Sequence, residues 1–183
     1  MAVQTRVQLQ NKSATVQNET VANANTALRV GGLFDDFADS VTLNGERGLT
    51  SLYLDSSVSY TPSISTEKVV DVAMLEWQSF GSVFSSSEYT ITYNGTISAP
   101  IRISAQLTFA GVNNRRYSFW IAQDGNIIRQ SLSENTTQGT HNHVICTEAF
   151  VVANTGSYFE IYASSNDSNS INIKTLSFAA FTI

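Results

Sequence analysis

Strict alternation of apolar and polar positions dominates the second half of the chain. Over residues 101–109, Ile101, Ile103, Ala105, Leu107 and Phe109 share one face, and Arg102, Ser104, Gln106 and Thr108 share the other. A period of two predicts a half-buried β-strand. The same pattern over 89–93 runs into the turn signal Asn94-Gly95 and resumes over 117–121 after a loop at 111–116. Asp124-Gly125 predicts a type I′ hairpin turn leading into 126–129. Further strands are predicted at 143–152, 158–163 and 171–183, divided by Asn-Thr-Gly and Ser-Asn-Asp-Ser-Asn turns. Short strands spaced by turns from residue 76 to 183 predict a mainly β domain, an antiparallel jelly-roll sandwich. The run Leu176-Ser-Phe-Ala-Ala-Phe-Thr-Ile183 is apolar enough to belong in the middle of a sheet, because an exposed apolar edge would aggregate.

The first half reads differently. Residues 1–50 hold too few apolar positions to enclose a core, and they are predicted to form an N-terminal anchoring arm with a short helix. Thr26 is a suitable N-cap, and Leu28, Leu33, Phe34, Phe37 and Val41 form an apolar stripe opposite Asp35, Asp36 and Asp39. Gly31-Gly32 allows a break in that helix. Leu28, Leu33, Phe34 and Phe37 are the anchor candidates, since an amphipathic segment without its own domain docks on another chain. Residues 51–75 alternate in short pieces interrupted by Pro62 and are predicted to be an extended stalk or linker, with the jelly-roll knob at 76–183.

Composition narrows the function. Ser, Thr and Asn make up about a third of the 183 residues, whereas Asp, Glu, Lys and Arg together reach 14%. Hydroxyls and amides suit the exposed faces of strands, and a helical bundle would need more charge. The net charge is −5, with 10 Lys and Arg in all. Neither nucleic acid nor a membrane surface is therefore expected as a partner. No hydrophobic signal core opens the chain, so it is expected to remain where it is made. One cysteine, Cys146, cannot close an intrachain disulfide.

No catalytic set emerges, and an enzyme is not expected. His141 and His143 are the two histidines, and neither they nor Cys146 fall at a nucleophile-elbow, zinc-finger or metalloprotease spacing. Two apart on a strand, the two histidines would share a face, and three chains around an axis would offer six imidazoles to a metal ion. A polar loop end before the strand from Val144 is the simpler reading, and no metal or other cofactor is expected. Glu134, Glu148, Glu160 and Asp167 are scattered, without the shared cleft that glycan hydrolysis needs. Asp124 and Asp167 sit in turns, where turn formation accounts for them better than calcium. Aromatics are more informative. Tyr158 and Tyr162 lie opposite Phe159 and Ile161, while Ser118 and Trp120 lie opposite Tyr117, Phe119 and Ile121. A strand apolar on both faces exceeds what a sandwich wetted on its outside requires, so Phe119, Trp120, Tyr158 and Tyr162 are the candidates for contact between subunits.

Taken in order, residues 101–111, the hairpin segment 117–125, Gly156-Ser-Tyr-Phe-Glu-Ile-Tyr162 and Phe178-Ala-Ala-Phe-Thr-Ile183 resemble the trimeric jelly-roll knob shared by tumour necrosis factor ligands and the globular heads of complement. Ser157 stands where that pattern has an aspartate, and Asp124 where it has the hairpin asparagine. Thr5-Arg-Val-Gln-Leu9, Asn18-Glu-Thr20, Leu28-Arg-Val30 and Leu33-Phe-Asp-Asp-Phe37 are similar to the opening of many bacteriophage fibre proteins. Together the resemblances imply a structural virion protein of a phage: a homotrimeric head fibre or capsid decoration protein, anchored to capsid or other virion proteins by its N-terminal arm and displaying a C-terminal knob. A short tail fibre, or a monomeric carbohydrate-binding module, is the alternative. Host cell-surface glycans are a further candidate partner. The stalk is short even when extended, which favours the capsid surface over the tail, with assembly in the host cytoplasm.

Overall fold

The computed structural model describes residues 48–64, 66–139 and 141–183, which belong to one compact unit from Arg47 to Ile183. The helix expected from Thr26 and the anchor candidates Leu28, Leu33, Phe34 and Phe37 lie outside the described residues. Fourteen strands follow in order: β1 (Leu49–Tyr53), β2 (Val58–Tyr60), β3 (Ser63–Ile64), β4 (Lys68–Val69), β5 (Leu75–Phe80), β6 (Phe84–Ser87), β7 (Thr90–Tyr93), β8 (Ala99–Ala110), β9 (Arg116–Gln123), β10 (Asn126–Ile127), β11 (Ser133–Thr136), β12 (His143–Ala153), β13 (Tyr158–Ser165) and β14 (Ile171–Thr182). A single 3-10 turn, Arg129–Ser131, is the one helical element among the described residues.

The strands form two sheets. The first runs β12-β8-β14-β1-β5, with β2 beside β14; the second runs β10-β9-β13-β7-β6, with β11 beside β9 and both β3 and β4 beside β13. All pairs are antiparallel except β3 with β13. Apart from the β6–β7 and β9–β10 hairpins, neighbours along each sheet's strand order come from distant parts of the chain, as in the predicted jelly roll. The alternation read at 101–109 is realised fully: Ile101, Ile103, Ala105, Leu107 and Phe109 are all buried. They meet Tyr117, Phe119 and Ile121 of β9 and Phe159 and Ile161 of β13 from the opposite sheet, and the Phe109 ring lies 5.5 Å from those of Tyr117 and Phe119. The terminal apolar run becomes β14, flanked by β8 and β1. In β14 the buried positions change from Ile171 and Ile173 to Leu176, Phe178 and Ala180, because a bulge between Ile173 and Thr175 shifts the period by one residue. Asp124 (φ 53°) and Gly125 (φ 73°) form the turn between β9 and β10, where the left-handed backbone favours the glycine.

Residues 51–75 are not a stalk. They carry the end of β1, all of β2 to β4 and the first residue of β5, and Leu52, Tyr60, Val70, Val72 and Met74 are buried in the same core as the knob. Each piece supplies only one or two core side chains, so none resembles a core by itself. Pro62, read as a break, falls where the chain leaves the first sheet after β2 and joins the second at β3. A residue without an N–H donor is tolerated there because no ladder bond is needed. The chain enters β1 through Gly48, whose added Cβ would lie 2.0 Å from a methyl of Val83, so only glycine lets the two segments approach.

One polar atom is out of place: Thr50 Oγ1 in β1 is fully buried with no hydrogen-bond partner among the described residues. Leaving a hydroxyl unsatisfied carries its desolvation penalty, and valine has nearly the same shape. Thr50→Val is therefore expected to stabilise the protein by about 1 kcal/mol, seen as a higher denaturation midpoint with an unchanged denaturant slope.

Candidate functional site

The outward face of the first sheet carries the larger exposed apolar surface. Register places Phe150 of β12, Arg102 of β8, Phe181 of β14, Leu49 of β1 and Phe80 of β5 side by side in one row across all five strands. Phe150 is 65% exposed and Phe80 67%. The Arg102 guanidinium lies over the rings of Phe150 (5.7 Å) and Phe181 (5.2 Å) and pairs with Glu148. Val152 and Ile183 extend the patch, and toward the other end Trp77 stands edge-on against Tyr53 at 5.4 Å. Between them lies a polar hollow of about 400 Å³ lined by Ser104, Gln106, Cys146 and Ser177. All six residues of the edge strand β5 are exposed, including Leu75, Trp77 and Phe80. An exposed apolar row of this kind makes the face a candidate interface.

The signal for this face was present in the sequence. Along β12, Val144, Cys146, Phe150 and Val152 alternate against Ile145, Ala149 and Val151, so this strand too is apolar on both sides. The strands β9 and β13 carry the same two-faced pattern. There the structure gives a different answer. Phe119 is not an intersubunit candidate: it is fully buried against Phe109 inside the sandwich, because odd-numbered positions of β9 point to the core. Trp120, Tyr158 and Tyr162 do lie on the outward face of the second sheet, opposite the apolar face just described. Trp120 is only 7% exposed, Tyr158 is 36% exposed, and Tyr162 is half-buried.

That second face is polar and internally paired. Ser118 pairs in register with Glu134 on one side and Ser164 on the other, and Trp120 pairs with Tyr162. Ser118 donates to Glu134 Oε1 at 2.6 Å, and Arg129 bonds the Glu67 carboxylate. The Arg129 guanidinium holds the Glu67 carboxyl below its usual range. Small serines at adjacent register positions leave a hollow of about 300 Å³, with Trp120 in its lining and Glu67, Arg116, Glu134 and Asn166 around it.

On the same face Glu160 lies between Tyr158 and Tyr162, and burial pushes its carboxyl above the ordinary range. Burial, with Glu160 and Tyr158 adding to it, likewise raises Tyr162. A carboxyl raised in the fold favours the protonated form, so Glu160 lowers stability as pH climbs from the unfolded carboxylate range through its folded value. Glu160→Gln is expected to raise the urea midpoint at neutral pH, with the gain vanishing in acid, where both side chains are neutral.

The remaining sequence candidates have local roles. His143 Nε2 accepts from the Gln138 N–H at 3.2 Å, and its ring packs 5.9 Å from Phe109. Asp124 accepts from the Tyr158 N–H (2.9 Å) and from Ser157 Oγ (3.2 Å), tying the β9–β10 turn to the start of β13. Ser157 thus binds an aspartate instead of supplying one. Asp167 accepts from the Ser168 N–H and pairs with Arg115 at 2.6 Å. Among the described residues, no group of three or more His, Cys, Asp and Glu side chains is placed to hold a metal ion.

No family model matches the sequence, and neither does any curated protein. Solved structures do match. The chain is similar to the PRD1 vertex protein P5, at 14% identity over 74% of this chain and 73% of that one, with a TM-score of 0.51. It is similar to the globular domain of zebrafish complement 1qA protein, at 9% identity over 75% and 98%, with a TM-score of 0.53. Eiger TNF from S. frugiperda matches at 5% identity over 75% and 93%, with a TM-score of 0.50. At these identities the likeness is one of fold: the chain carries a jelly roll of the kind found in a phage vertex protein and in tumour necrosis factor and complement heads.

Proposed function

We propose that the protein is a homotrimeric structural protein of a bacteriophage virion, a head fibre or capsid decoration protein whose N-terminal arm anchors it to the particle and whose jelly roll forms the displayed knob. The observation that carries this reading is the apolar row Phe150, Phe181, Leu49 and Phe80 on the outward face of the first sheet. A protein that works as a monomer would expose that row to water; a second copy covers it. Three copies, each presenting this face to the next, close a ring without leaving a free patch. The match to a vertex protein favours a position on the capsid. Arg102, stacked on two phenylalanines and paired with Glu148, brings its charge to the interface already neutralised, which lessens the penalty of burying it.

Sedimentation of the full chain at micromolar concentration tests the assembly: the expected mass is three times the 19.9 kDa protomer. A monomer would leave the apolar face unexplained and return the carbohydrate-binding module to first place. Immunogold labelling of intact particles tests the location, with label expected on the capsid; label confined to the tail would make the protein a short tail fibre.

A further inference from the structure

We propose that the hollow around Trp120 on the outward face of the second sheet is a binding site for a neutral saccharide. All of its residues come from one protomer and lie on the sheet face opposite the apolar row, so the site does not rest on the proposed assembly.

The hollow exists because Ser118 and Ser164, paired across β9 and β13, are too small to fill the space between Glu134 and Glu67. Its volume of about 300 Å³ is at the lower end for small-molecule sites, enough for a sugar ring but not for a folded peptide segment. The charges around it cancel. Glu67 is bonded by Arg129, and Glu134 faces Arg116 at 3.9 Å. An anionic ligand would be set against the Glu67 and Glu134 carboxylates that share the lining with Arg116, whereas a neutral one leaves both pairings in place.

Hydrogen-bonding capacity remains after those pairings. At 3.9 Å Arg116 Nε is too far from Glu134 for a hydrogen bond, and the guanidinium donors have no hydrogen-bond partner among the described residues. Glu134 Oε1 is taken by Ser118, but Oε2 has no partner among the described residues. Asn166 Oδ1 accepts from the Arg116 backbone N–H at 3.0 Å, which orients the amide and leaves its NH₂ group unpaired among the described residues. A carboxylate, a guanidinium and an amide set around one hollow are planar forks, suited to adjacent hydroxyls that each donate and accept. Trp120, though only 7% exposed, is the one aromatic side chain in the lining and gives the C–H groups of a sugar their apolar contact.

The chain has two tryptophans, so Trp77→Phe leaves Trp120 as the sole indole; Trp77 is 72% exposed and its replacement should not disturb the fold. This variant is titrated with methyl glycosides of glucose, galactose, mannose and N-acetylglucosamine, and with sialyllactose, while Trp120 emission is followed. A saturable change is expected with at least one neutral glycoside. Adding Glu134→Gln or Arg116→Gln, both at exposed positions, should weaken it roughly tenfold through loss of a charge-assisted hydrogen bond. No saturable response to any neutral glycoside, a response to sialyllactose alone, or an affinity unchanged by both additional substitutions would each overturn the proposal.

Discussion

Phe150→Ala is expected to shift the monomer–trimer equilibrium strongly toward the monomer while leaving the protomer folded. In the isolated protomer the ring is 65% exposed, so truncation removes little from the core. Surface substitutions of this kind change stability by about 0.5 kcal/mol or less. At the proposed interface the same ring lies in the apolar row and is covered by the neighbouring copy. Loss of an aromatic anchor there is worth ~2 kcal/mol. Three symmetry-related copies bring this to roughly 6 kcal/mol per trimer, on the order of 10⁴-fold in the assembly constant. Sedimentation equilibrium reads the shift directly, with circular dichroism to establish that the monomer retains its sheets. Tyr158→Ala is the matched control. It removes an aromatic of similar size from the outward face of the other sheet, and the trimer should survive it. If Tyr158→Ala dissociates the trimer and Phe150→Ala does not, the contact lies on the second sheet and the apolar face needs another occupant.

How much of this was legible depended on whether the relevant signal was local. The strands β8, β9, β12, β13 and β14 are long enough to show their period of two, which separates the two faces of each. β6, with the sequence Phe-Ser-Ser-Ser, and β11, with Ser-Glu-Asn-Thr, carry almost no hydrophobic pattern. They are strands because β7 and β9 offer them free edges, which no window of sequence records. The candidate surfaces divide in the same way. Alternation correctly separates Trp120 from Phe119, but it does not say which of the two faces belongs to the core. That requires knowing which sheet lies opposite, and Phe119 was misplaced for this reason. The Trp120 hollow was still less accessible: it depends on Ser118 and Ser164 meeting across two strands separated by more than forty residues, and on Glu67 being brought near Trp120 from a segment read as a stalk.

That segment gives the other large expected effect. A fragment spanning residues 76–183, the boundary at which dense strand patterning begins, should fail to fold, whereas a fragment spanning 47–183 should fold. The shorter piece loses β1, which sits between β14 and β5 in the first sheet and pairs with β14 from Leu49↔Phe181 to Tyr53↔Ser177. Its removal leaves a long apolar strand as an open edge, the arrangement most prone to aggregation. The core loses Leu52, Tyr60, Val70, Val72 and Met74, each 6% exposed or less. Truncating one large buried apolar side chain removes roughly 2–5 kcal/mol, so losing five is comparable to or larger than the whole stability of an ordinary domain, about 5–15 kcal/mol. Circular dichroism and a urea titration of the two fragments make the comparison: a cooperative transition for 47–183 and none for 76–183. A cooperative transition in the shorter fragment would mean that ten strands suffice and that β1 to β4 are an addition to an already stable sandwich.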